Sequence, residues 1–151
     1  MVKKTILLLA FYISSISAQF KFENFINESF DNDLISIKEQ IKEKKFEEKE
    51  NKGIKSITYY DWVNPISIKV GYIFDKEGKQ KSRMILNGKE NETESKKAFE
   101  IFKKEIIKIF GKDFSEMNMF GATILQWKNL KEYKVILSRK DNKTAFFITK
   151  N

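Results

Sequence analysis

Residues 66–74, Ile66-Ser67-Ile68-Lys69-Val70-Gly71-Tyr72-Ile73-Phe74, decide the fold. They alternate more cleanly than any other stretch of the chain. Ile66, Ile68, Val70, Tyr72 and Phe74 must share one face of a strand, and Ser67, Lys69 and Gly71 the other. A strand with one apolar face belongs to a sheet covered on that side, the usual habit of antiparallel sheets.

Working outward, Asp75-Lys76-Glu77-Gly78 reads as a hairpin turn with glycine at the left-handed position, and Lys79 to Leu86 returns as the partner strand. Upstream, residues 54–63 (IKSITYYDWV) are rich in β-branched and aromatic side chains and close at Asn64-Pro65. Downstream of Asn87-Gly88 comes the strongest helix signal. Asn91 with Glu94 three residues later is close to a capping box, with Thr93 as an alternative cap. Ala98, Phe99, Phe102, Ile106, Ile109 and Phe110 form its apolar stripe, and Gly111 ends it. Strands follow near 122–127, 133–139 and 144–150, joined by the short polar links KNLKE and KDNK, which predict consecutive antiparallel neighbours.

At the other end, Phe22, Phe25, Ile26 and Phe30 fall at helical spacing. Asp31-Asn32-Asp33 supplies the cap of a second helix carrying Leu34, Ile37 and Ile41. The charge run Lys42–Lys52, KEKKFEEKENK, reads as a continuation of that helix into solvent before a turn at Gly53. The expected fold is therefore α+β. It has an antiparallel sheet of about five to six strands in βββ-α-βββ order, with one long helix and the N-terminal helices packed on one face. The two βββ halves hint at an internal duplication, although no residue-level repeat supports it.

The first eighteen residues stand apart. Lys3 and Lys4 precede an apolar run from Thr5 to Ile13, and the small residues Ser14, Ser15, Ser17 and Ala18 follow. That order is the layout of a cleavable signal peptide, and the run is shorter than the ~20 apolar residues a membrane-spanning helix needs. The expected cut lies between Ala18 and Gln19, with Ser17 as the other cleavage position. Residues 19–151 are then expected to form one α+β domain, with no stable membrane insertion once the leader is removed.

Composition narrows the chemistry. The chain has no histidine and no cysteine, and its formal charge of +8 is nearly all lysine. Removing Lys3 and Lys4 with the leader leaves +6. Without imidazole the usual serine or cysteine hydrolase lacks its general base. Without imidazole and thiolate a dedicated zinc site is not expected either, and no glycine-rich phosphate loop occurs. Asp31-Asn32-Asp33 resembles the start of a calcium loop, but Ser36 and Lys42 stand where glycine and the closing carboxylate belong. No metal or other cofactor is expected. Basic residues alternate with acidic ones along the long helix, and Arg83 and Arg139 are the only arginines, so nucleic acid is not the expected partner.

Tyr59-Tyr60-Asp61-Trp62 is the one constellation with binding chemistry, and Trp127 on a later strand could join it. Aromatic rings beside a carboxylate can stack on sugars, and two-carboxylate hydrolysis is the catalytic scheme this composition permits. The simpler reading puts Tyr59 and Asp61 on one strand face and Tyr60 and Trp62 on the other, one pair in the core and one at the surface.

The lysine-headed leader, the lysine-, isoleucine- and asparagine-rich composition and the Ala18-Gln19 junction are similar to small exported proteins of Gram-negative bacteria of the flavobacterial group. This resemblance implies a periplasmic or secreted protein. The sequence thus predicts a non-enzymatic exported module that binds a protein or envelope component, with inhibitor- or immunity-like proteins as a special case. The alternative is a carboxylate-dependent glycan-binding protein or glycoside hydrolase centred on Asp61.

Overall fold

A computed structural model describes residues 19–151; the signal-peptide reading of residues 1–18, and with it Ala18 of the expected cleavage junction, lies outside them. The alternating stretch becomes β3 (Ile66–Phe74), near the middle of an eight-stranded antiparallel sheet. Before it come α1 (Phe22–Asn27), α2 (Leu34–Gln40), β1 (Phe46–Asn51) and β2 (Ile54–Val63). After it come β4 (Gln80–Asn87), α3 (Glu92–Phe110), β5 (Phe114–Met119), β6 (Ala122–Trp127), β7 (Tyr133–Lys140) and β8 (Lys143–Lys150). The strand order is β1-β2-β3-β4-β8-β7-β6-β5. A helix followed by a four-stranded meander therefore occurs twice, and the two meanders join where β4 pairs with β8, Ile85 opposite Phe146.

The expected α+β class and antiparallel sheet hold, but the expected five to six strands and the βββ-α-βββ order do not. The sheet has eight strands in ββββ-α-ββββ order. The two missing strands are its two edges. Residues 42–52 do not extend α2: the helix stops at Gln40, the chain turns, and the charged run becomes β1. Glutamate and lysine suit an edge strand because they deter pairing with another chain. The second, β5, begins at Phe114, three residues after Gly111. In both edge strands only the first residue or two is partly buried, so neither shows the alternation that marks a strand.

Elsewhere local chemistry and structure agree. Asp33 caps α2, its carboxylate accepting the N–H of Ser36 at 2.8 Å. Asn91 caps α3 by accepting the N–H of Glu94 at 2.8 Å, and Gly111 ends that helix at φ +77°. One face of the sheet carries the core: Ile57, Ile68, Val70, Ile85, Leu125, Val135, Leu137, Phe146 and Ile148 are all buried. Both α1 and α3 pack there, with the Phe22 ring 5.2 Å from Phe102 and 6.3 Å from Phe146. The other face has no helix on it among the described residues. Which residues line that face follows from the alternation.

Candidate functional site

The strand pleat divides the aromatic cluster of β2. Tyr59 points into the core side, where burial pushes its pKa above the usual tyrosine value with Asp61 adding to the effect. Asp61, on the same side, accepts the N–H of Trp62 at 2.9 Å through Oδ1 and pairs with Lys44 at 3.1 Å through Oδ2. Both of its oxygens are thus engaged. Tyr60 and Trp62 stand on the opposite, helix-free face, 58% and 56% exposed. Trp127 does not join Tyr60 and Trp62 on that face. It is 3% exposed in the core, packed against Phe114 with ring centroids 5.0 Å apart, and its Nε1 donates to the Gly111 carbonyl at 2.9 Å. Gln19 lines a groove of about 640 Å³ together with Asn24, Glu28, Gln40, Tyr59 and Tyr72.

A buried polar group beneath that groove went unread in the sequence. Arg83 of β4 is fully buried and pairs with Glu28 at 3.3 Å. The Tyr72 hydroxyl donates to the same carboxylate oxygen at 3.1 Å, and Asn32 Nδ2 donates to the other at 3.3 Å. Burial raises the Tyr72 pKa, with negative neighbours adding to it, and burial lowers that of Arg83 against the opposing pull of Glu28. The available signal was positional: Arg83 occupies an apolar register place, two residues from Ile85. With every carboxylate oxygen already holding a donor, this group anchors α1 to the sheet.

The helix-free face is the largest feature left. Register places Tyr60 of β2, Lys69 of β3, Leu86 of β4, Ala145 of β8, Ser138 of β7, Ile124 of β6 and Met117 of β5 in one row across it. The next row carries Met84, Phe147 and Ile136, with Met84 folded over Gly71, where a Cβ would lie only 2.6 Å from its terminal methyl. The chain's methionines other than Met1 are Met84, Met117 and Met119, and all three are on this face. Among the described strand residues, lysines 49, 69, 134, 140 and 143 share the face with a single carboxylate, Glu47. Phe120, 86% exposed, tips the β5–β6 hairpin at its border with φ +51°.

Among the described residues no three acidic side chains gather where a metal ion could be held, and no helix is long and apolar enough to cross a membrane. Comparison of the chain with protein-family models, curated proteins and solved structures finds no match.

Proposed function

We propose that the protein is an exported, non-enzymatic binding module that holds a protein or envelope component against the helix-free face of its sheet. One observation carries the reading: Tyr60, Leu86, Ala145, Ile124 and Met117, interrupted by Lys69 and Ser138, form a row across seven strands beside an apolar cluster of Met84, Phe147 and Ile136, and no helix packs on them among the described residues. An apolar surface of that kind, half-buried at its centre and exposed at Tyr60 and Met117, marks an interaction site more often than scattered surface hydrophobes do. Methionine strengthens the case, because its flexible, polarisable side chain adapts to a partner's shape. Export follows from the leader at residues 1–18, and the absence of cysteine leaves core packing to stabilise the fold in an oxidising compartment.

The test is capture. The full gene is expressed in a Gram-negative bacterium, and the protein recovered from the periplasm is checked by mass spectrometry for an N-terminus at Gln19. Immobilised, it is exposed to cell-envelope extract beside its Phe147→Asp variant. A reproducible component retained by the natural protein and lost by the variant is the expected result. Retention of identical material by both would remove the reading.

A further inference from the structure

We propose that the helix-free face receives an acidic amphipathic helix of another protein, laid across the strands along the apolar band. This rests on the binding-module reading above and adds the chemistry of the partner.

Dimensions come first. From β2 to β5 the band, with Lys69 and Ser138 set among its apolar side chains, crosses six strand intervals, roughly 29 Å at ~4.8 Å each. A helix of about 19 residues has that length at ~1.5 Å per residue, and its diameter of ~10 Å suits two rows of side chains.

Charge selects the partner. Among the described strand residues the face carries five lysines and one glutamate, and Lys49, Lys69, Lys134 and Lys140 make no ion pair with another described residue. Lys143 pairs with Glu90, and Lys69 Nζ lies 5.5 Å from the Tyr60 ring centroid. Lys140 and Lys143 flank the band on one side and Lys134 on the other. A second copy stacked face to face would oppose lysine to lysine across an apolar seam, which favours a different, acidic partner. A bilayer fits less well. Met84, Leu86, Ile124, Ile136 and Phe147 are half-buried among their own neighbours, where membrane insertion calls for side chains that project. Phe120 projects at one end only and suits an anchor against one end of the helix.

Trp62 provides the readout, since it stands at the band's border while Trp127 is buried. The exported protein is titrated with a synthetic 20-residue helix bearing leucine along one face and glutamate on both flanks, and with a twin carrying lysine instead. The glutamate peptide is expected to shift Trp62 emission to the blue, to bind at least tenfold more tightly than the twin, and to weaken as salt rises. The exposed double variant Lys134→Glu/Lys140→Glu is expected to reverse that preference. Equal binding of the two peptides, or a preference the double variant leaves untouched, overturns the inference. So does an emission shift given by phosphatidylglycerol vesicles and not by the peptide, which points to a membrane surface, or a dimer in sedimentation that Phe147→Asp dissolves, which points to a second copy. If the peptides fail but Phe147→Asp still abolishes capture from envelope extract, the module reading stands without the helix. If that variant changes no capture either, both fall.

Discussion

Arg83 and Glu28 meet at 3.3 Å across 55 residues of chain, and the guanidinium is wholly buried. It also donates to the carbonyls of Phe25 at 2.9 Å and Glu28 at 2.5 Å, and its Cζ lies 4.1 Å from the Phe30 ring centroid. The end of α1 is thereby tied to the middle of the sheet. Glu28→Ala leaves the cation buried with no counter-charge and is expected to lower stability by about 3–5 kcal/mol. The pair replacement Glu28→Gln/Arg83→Met removes both charges and is expected to regain most of that loss. Urea denaturation of the two variants checks it, and a double variant weaker than Glu28→Ala would refute the account.

A second polar node sits at the seam between the two meanders. Asn87 Oδ1 accepts the buried N–H of Thr144 at 2.5 Å, while its Nδ2 donates to the carbonyls of Lys89 and, at 3.1 Å, of Asn142. Thr144 in turn donates to the Ser95 carbonyl at 2.8 Å, which fixes the first turn of α3 against β8. Asn87→Ala strands the Thr144 N–H away from water and is expected to cost about 1–3 kcal/mol. Hydrogen exchange provides the local test: Thr144 should lose protection more than the amides of β2, at the far side of the seam.

Acid should act through two turn carboxylates. The N–H of Ser36 holds the Asp33 pKa below the usual carboxylate value, and the N–H of Lys79 does the same for Asp75, with Lys81 and Glu77 contributing. A pKa lower in the folded chain than in the unfolded one means stability present above the unfolded value, ~3.9, and lost as pH falls through the folded value. The melting temperature of the natural protein is therefore expected to exceed that of Asp33→Asn/Asp75→Asn most clearly above pH 4. The gap should close between pH 4 and pH 2. A gap constant across that range would show that the two charges are not the source.

What the sequence revealed depended on where each strand lies. β3 and β6 to β8 were legible because one side faces the core and the other does not, so burial is written in as alternation. β1 and β5 lie at the edges with little burial on either side, and nothing in FEEKEN or FSEMNM records a core. The cluster at Tyr59–Trp62 was visible as chemistry but divided by geometry, since a period of two sends neighbours to opposite faces. Trp127 was legible as a strand residue, while its burial depended on Phe114 of the unread edge strand. An uncovered sheet face was expected, but the methionines that line it were not, because its residues come from six strands and meet only through register.

Phe120 offers the sharpest separation of stability from function. With Gly121 it forms the β5–β6 turn, both residues at positive φ, +51° and +77°. Asparagine-glycine is the preferred pair for such a turn, and a bulky ring in the left-handed region is strained by about 1–3 kcal/mol. Phe120 gains little burial in return, being 86% exposed. Phe120→Asn is therefore expected to raise stability by about 1 kcal/mol, seen as a higher urea midpoint with an unchanged slope. If the ring is retained for contact with a partner, the same variant should release the captured envelope component at least tenfold faster. A variant that is more stable and binds unchanged would show that Phe120 has no part in the interface.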